Sequence, residues 1–179
     1  RRAMKAAGEC ACWWLNGPIS AESMRQALLS GRPGAVECEA EAAAVVVSLK
    51  SGAKGAAYPP IVGSGPNACV YHYEKNSRRI EDGDLGLMDY GADLDHLGMD
   101  ITRTWPDNGT FSPQQREIYR PVLEVQKAST AACRPGATQE DVRKHVDDVL
   151  KKKGIDPPGL AARLDPYACL ALTACAPSN

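Results

Sequence analysis

"LMDYGADLDHLGMDITRT", residues 87–104, sets two aspartates inside apolar stretches that otherwise read as strands. Aspartate is depleted in strands, so Asp89 and Asp100 need a reason. The polar centre Ala92-Asp93-Leu94-Asp95-His96 predicts a hairpin turning at Leu94-Asp95. In that register Asp93 faces His96 and Asp89 faces Asp100. Directly opposed residues hold their β-carbons about 4.5–5.5 Å apart on one face, where like charges repel. Two readings stay open: a cation sits between the carboxylates, or the hairpin is exposed and its charges repel weakly through water. Paired carboxylates suit hard divalent ions such as Mg or Mn, with Zn compatible. A two-metal centre of that kind activates a bridging water and polarises a neighbouring carbonyl, which is hydrolase chemistry.

Outward from the hairpin, "CVYHY" at residues 69–73 predicts the preceding strand, and Asp82-Gly83 marks the entry to the hairpin over residues 84–105. His72 lies in that earlier strand. It is either a hydrogen-bonded structural residue or a donor to a substrate beside a metal. His96 in the turn and His145 on the polar side of a helix read as solvated. The glycine-rich "IVGSGPN", residues 61–67, lacks the lysine and following helix of a phosphate-binding loop. Asn108-Gly109-Thr110 is turn chemistry, and also a glycosylation acceptor that would matter only in a secretory compartment.

The chain also repeats itself. "RPGAVECEAEAAAVVVSLKSG" starts at Arg32 and "RPGATQEDVRKHVDDVLKKKG" at Arg134, 102 positions later (134 − 32), and each closes on a glycine, Gly52 or Gly154. The second copy reads as a helix: Thr138 caps it, Glu140 and Asp141 occupy its first turn, and Lys151, Lys152 and Lys153 complement its C-terminal dipole. The first copy is rich in Ala and Val and reads as buried. A helix precedes each copy. Residues 21–29 supply the first, possible end of a longer helix broken near Gly17-Pro18, and a Ser112/Gln115 capping box with Pro113 opens the second, which runs to about Ala132. The pattern points to an internal duplication, and to an α+β fold in which helices cover one face of an antiparallel sheet.

The totals narrow the class. With 179 residues, 44% hydrophobic, and 21 basic against 22 acidic residues, the chain reads as one ordinary globular domain or part of one. A formal net charge of −1 gives no electrostatic case for nucleic acid or an anionic membrane. No apolar run approaches the ~20 residues of a bilayer span. The basic, partly apolar start "RRAMKAAGECACWWL" is interrupted by Glu9 and reads against a signal peptide. Seven cysteines without zinc-type pairs predict free, mostly buried thiols in a reducing cytoplasm. Trp13 and Trp14 are read as core, with partner contact the alternative.

The stretches "YPPIVGSGPNACVYHY", "IEDGDLGLMDYGADLDHLGMDITRTWPDNGTFSPQQREIY" and "LEVQKASTAACRPGAT" together resemble the pita-bread metallopeptidases, in particular the aminopeptidase P (Xaa-Pro aminopeptidase) group. The resemblance covers about residues 32–160. It implies a partial pita-bread fold built as two related halves, in agreement with the repeat. It further implies that Asp89 binds one metal, that Asp100 bridges two, and that His72 faces the substrate. The implied reaction is hydrolysis of an N-terminal peptide bond preceding proline by a dinuclear metal-hydroxide mechanism, with Mn first and Co or Zn as alternatives. The implied partner is a peptide with proline at its second position.

The family pattern also supplies a liganding histidine and two glutamates from later segments. Aligned without gaps, Pro166 stands where the first histidine is expected and Thr173 where a second is expected, and the tail "LDPYACLALTACAPSN" carries neither glutamate. The expectation is therefore a truncated chain, weakly active or inactive by itself. It has an N-terminal helical segment over 1–31, a catalytic-domain portion over 32–160 and a divergent tail over 161–179. The alternative is a non-enzymatic metal-binding or self-associating protein. Uncovered apolar surface and an open strand edge would favour a homodimer.

Overall fold

The computed structural model describes residues 6–155. They form two compact units that divide between Thr110 and Phe111, inside the stretch 32–160 that the sequence reading keeps whole.

In the first unit, α1 (Ala7–Ser30) and α2 (Glu37–Lys50) pack side by side. They meet an antiparallel sheet of β1 (Ile61–Ser64), β2 (Leu85–Tyr90) and β5 (Ile101–Pro106), in the order β1-β2-β5. Two short strands, β3 (Asp93–Leu94) and β4 (Leu97–Gly98), form the hairpin tip. On α2, Ala40, Ala44 and Ser48 recur every four residues and are buried. They face Met24 and Ala27 of α1 in a core completed by Met88, Tyr90 and Trp105 of the sheet. Small side chains on both helices let the backbones approach closely, so larger sheet residues fill the remaining space.

Four expectations are corrected here. The helix predicted over 21–29 begins at Ala7 and runs unbroken through Pro18. Pro18 is exposed, as is Trp14, whose carbonyl loses its partner; water can take that bond, so the cost stays local. Trp14 is 82% exposed and not core. The strand predicted over 69–73 is instead a 3-10 helix (Gly65–Cys69) and a turn, and the strand lies earlier, at Ile61–Ser64. That strand is buried at all four positions, so it shows none of the period-2 alternation that reveals a half-buried strand. Its glycine has a local cause: a Cβ at Gly63 would stand 2.7 Å from the Asn67 carbonyl oxygen. Finally, Cys10, Cys12, Cys38 and Cys69 carry free thiols as expected, yet they are exposed or half-buried. Cys169 and Cys175 lie outside the described residues.

A buried carboxylate fixes the start of α2 against the sheet. Glu37 accepts from the Ser64 amide (2.7 Å), the Ser64 hydroxyl (2.8 Å), the Tyr73 hydroxyl (2.9 Å) and the Arg78 amide (2.9 Å). Both carboxylate oxygens of Glu37 thus accept hydrogen bonds, which is the condition for a carboxylate to be tolerated inside.

The second unit holds α3 (Pro113–Ala132) and α4 (Gln139–Lys152), packed around Val125 and Leu150 with Ile118, Val122 and Val146. Both predicted caps are present. Ser112 accepts from the Gln115 amide at 3.1 Å, and Thr138 accepts from the Asp141 amide at 3.2 Å.

The repeat extends to backbone geometry. Gly34 and Gly136 share a left-handed φ (94° and 86°), as do Gly52 and Gly154 (88° and 71°). The hydrogen bonds correspond position by position at the same offset of 102. The amide of Ala35 donates to the carbonyl of Arg32 as that of Ala137 does to Arg134, both at 3.0 Å. The amide of Ala53 donates to Ser48 at 3.0 Å as that of Ile155 does to Leu150 at 2.9 Å. Both copies therefore build the same helix, Arg-Pro-Gly-Ala turn, helix and left-handed glycine cap.

Candidate metal centre

The hairpin turns at Asp95-His96, not at Leu94-Asp95, and pairs Leu94 with Leu97 and Asp93 with Gly98. Asp95 (φ 53°) and His96 (φ 63°) are both left-handed, as a two-residue type I′ turn requires. Aspartate tolerates that conformation better than leucine does, which excludes Leu94 from a central turn position. The register consequently differs by two residues from the expected one. Asp89 pairs with Thr102, and Tyr90 with Ile101.

A two-residue offset preserves the face of every side chain. Asp100 lies two positions from Thr102, so it is the diagonal neighbour of Asp89 and not its direct partner. Diagonal residues stand roughly 7–8 Å apart, within reach for longer groups. What joins the two is Tyr58. Its hydroxyl donates to Asp89 Oδ1 at 2.7 Å and lies 3.5 Å from Asp100 Oδ1.

Tyr58 is delivered by the segment after α2, which runs as an added strand beside the hairpin neck. The Lys54 amide donates to the Asp93 carbonyl (2.8 Å), the Asp93 amide to Gly55 (2.9 Å) and the Ala57 amide to Gly91 (2.8 Å). Ala56 and Ala92 form an isolated bridge between them. At the neck a Cβ on Gly91 would overlap the Met99 carbonyl, so only glycine fits the approach of the two strands just before Asp100.

The electrostatics follow from this crowding. Burial, then the hydrogen bond and charge of Asp89, and then the charge of Asp100 push the Tyr58 hydroxyl above its ordinary pKa, so it stays a donor. Asp100 remains accessible to water, and its pKa is raised by partial desolvation first and by Asp89 second. Two hard oxygen donors that repel one another, with a hydroxyl as the bridging group, fit a divalent cation by their chemistry. Among the described residues no third His, Cys, Asp or Glu completes a metal-binding group with them. Pro166 and Thr173 lie outside the described residues.

His72 follows the 3-10 helix in an exposed turn, with φ 51°, and its ring tilts over Tyr71 at a centroid distance of 3.9 Å. Among the described residues, no hydrogen bond joins it to either aspartate. His96 is exposed at the turn, with Nε2 2.8 Å from Lys54 Nζ, and His145 is exposed on α4. Tyr58 is the site residue that sequence reasoning missed. Its available signal was weak: a tyrosine before Pro59-Pro60, held extended by the following proline.

An antiparallel sheet under a helix pair, with two carboxylates meeting on one hairpin, is part of the pita-bread fold. The chain matches the pattern of metallopeptidase family M24 over residues 16–167 and belongs to that family. It is 39% identical over 155 residues to Xaa-Pro aminopeptidase of Escherichia coli K12, covering 84% of this chain and 35% of that one. It is 43% identical over 99 residues to the mitochondrial intermediate cleaving peptidase 55 of Arabidopsis thaliana, covering 55% of this chain and 20% of that one. A zinc-substituted E. coli aminopeptidase P solved with product superposes with a TM-score of 0.79 at 36% identity, covering 92% of this chain and 39% of that one. The chain thus spans between a fifth and two fifths of the length of these relatives. The family match begins at Asn16, inside the helix that the sequence reading set apart as residues 1–31.

Proposed function

We propose that this chain is part of an Xaa-Pro aminopeptidase-like metallopeptidase, in which Asp89 and Asp100 hold divalent metal. The observation carrying this reading is the convergence of the two carboxylates on the Tyr58 hydroxyl, from two strands of one hairpin. Bound divalent ions supply an activated water and polarise the scissile carbonyl of a peptide. The chain's own part is to hold two oxygen donors on a braced hairpin, with Tyr58 as a proton-bearing partner to Asp89. Mn is the first choice, with Co and Zn as alternatives, because the donors known here are carboxylates. His72 is assigned to the substrate side on the family motif, and its exposed turn leaves its ring available to a peptide. The substrate class is a peptide with proline at its second position.

Because the chain spans only part of its relatives and two carboxylates do not fix a dinuclear centre, the 179-residue chain is expected to bind metal and to hydrolyse such peptides weakly or not at all. The free thiols of Cys10, Cys12, Cys38 and Cys69 support a reducing, cytoplasmic setting. Trp14 and Leu15, exposed together on α1, support self-association as a dimer; sedimentation that gives a monomer at all concentrations removes that element.

Calorimetric titration with Mn2+ tests the centre. Asp89→Ala and Asp100→Ala are each expected to abolish binding, while His72→Ala leaves it intact. Unchanged affinity in both aspartate variants rejects the site.

A further inference from the structure

We propose that a buried polar chain in α1 and α2 is a positioning device for the Asp89–Asp100 pair, and that Asn16 is its principal positioning residue. The inference rests on the metal-binding reading above. Asn16 is fully buried, and its Nδ2 donates to the Ala92 carbonyl at 2.7 Å and to the Leu97 carbonyl at 2.8 Å. Its Oδ1 accepts from the Ser20 hydroxyl at 3.1 Å, and that hydroxyl accepts from the Ala92 amide at 3.0 Å. One amide and one hydroxyl thereby take hold of Ala92, inside the gap in the regular ladder between Tyr90↔Ile101 and Asp93↔Gly98, and of Leu97 just beyond it on the other strand. Asp89 lies just before that opening and Asp100 lies within it.

A second branch reaches the same strand from below. The Ser23 hydroxyl lies 2.9 Å from that of Ser48, which lies 2.6 Å from the hydroxyl of Tyr90, the residue after Asp89. All of these side chains are completely buried. Burying polar groups in a helix interface gains little over aliphatic packing, and a buried donor or acceptor left without a partner is costly. Their presence needs a cause beyond helix packing.

The second copy of the repeat separates the two roles. At the offset of 102, Asn16, Ser20, Ser23 and Ser48 correspond to Ile118, Val122, Val125 and Leu150. Those four residues form the apolar centre of α3 and α4. The same helix, turn and helix therefore assemble with aliphatic residues at all four of these positions, although Ser129 is buried on α3. In the first copy these four positions are polar, and their hydrogen bonds run to the backbone and tyrosine of the carboxylate hairpin. The polar residues are thus assigned to the hairpin, whose aim they fix, and not to the pairing of the helices.

The test uses the full chain and Mn2+ or Co2+ alone as probes. Asn16→Ile installs the residue of the second copy, and Ser20→Ala, a smaller change, carries the same test should Asn16→Ile not fold. In whichever variant is folded by circular dichroism, Mn2+ affinity is expected to fall about 10–100-fold, the range found when groups supporting metal ligands are removed. The visible Co2+ absorption band is expected to change shape. A purely structural role would lower the unfolding midpoint and leave affinity and band shape of the folded protein unchanged; that result overturns the proposal. Wild-type protein that binds no Mn2+ overturns the metal reading as well, and is recognised because the failure appears without any substitution.

Discussion

At the scale of single residues, Tyr58 and Asp107 show opposite ways of accommodating a carboxyl group. Asp89 receives a hydrogen bond from Tyr58, and a neutral donor to a charged acceptor contributes roughly 1.5–3 kcal/mol. Tyr58→Phe is accordingly expected to lower the stability of the metal-free chain by about 1–2 kcal/mol in urea denaturation, the half-exposed setting reducing the full value. No loss would mean that water replaces the hydroxyl at no cost. Among the described residues no side chain donates a well-formed hydrogen bond to the buried carboxyl of Asp107. Burial first, then the charge of Asp84, raise its pKa to about 7, against the weaker opposing effects of the Trp105 side chain and Arg78, whose guanidinium is engaged by Asp84. The unfolded chain releases this proton near pH 3.9, so the folded state binds it more tightly. Stability from this group is complete below about pH 4, declines as the pH rises towards about 7, and is flat above. Asp107→Asn is expected to gain stability relative to the native chain over that window, by a few kcal/mol at most, with the difference vanishing at acid pH. A constant difference between the two proteins from pH 4 to 8 would show that the carboxyl is not the cause.

At the scale of elements, the hairpin register depends on the approach of its strands at Gly91. Gly91→Ala would drive a methyl group into the Met99 carbonyl, and overpacking of this kind costs about 1–3 kcal/mol or more. The variant is expected to unfold at markedly lower denaturant and to lose the Mn2+ response; a native-like midpoint would mean that the neck relaxes freely. In α4, Thr138→Ala removes a formed cap and is expected to cost about 1 kcal/mol, without effect on metal. These elements also show what the sequence made legible. The caps at Ser112 and Thr138 were readable because a capping side chain and its partner sit three residues apart, a purely local signal. The pairing of the two aspartate strands was readable from alternation. Its register was misplaced by two because the turn is decided by which residues accept a left-handed backbone, and Leu94 does not. β1 was missed because a strand buried on both faces has no alternation to read. Tyr58 and Asn16 escaped notice for a related reason: each acts across 31 or more positions of sequence, through contacts that only the folded chain creates.

At the scale of the whole molecule, the duplication has been differentiated unequally. The first copy carries a sheet, a core that includes the fully buried Met88 and Tyr90, and a network of buried hydrogen bonds. The second, among the described residues, is a pair of helices around a small aliphatic centre. Among the described residues it is further held by a Phe111–Tyr119 ring contact and by surface ion pairs such as Arg143–Glu140 and Lys153–Glu124, which contribute little in water. Among the described residues the second unit's core is small, and a core of that size stands near the limit of independent stability. Opening of the second unit is therefore expected to need less free energy than opening of the first, and the two should separate as distinct cooperative units. Hydrogen exchange followed by mass spectrometry reads this directly. Amides of α3 and α4 are expected to exchange at least about 100-fold faster than those of β2 and β5, a difference of roughly 2.7 kcal/mol. Equal protection across both units would contradict it, and would mean that the second helix pair is stabilised by more than its own seam. The expected inequality also bears on function: a rigid first unit can hold the carboxylate hairpin in place whether or not the second is closed, so Mn2+ binding should persist under mild urea that already exposes α3 and α4.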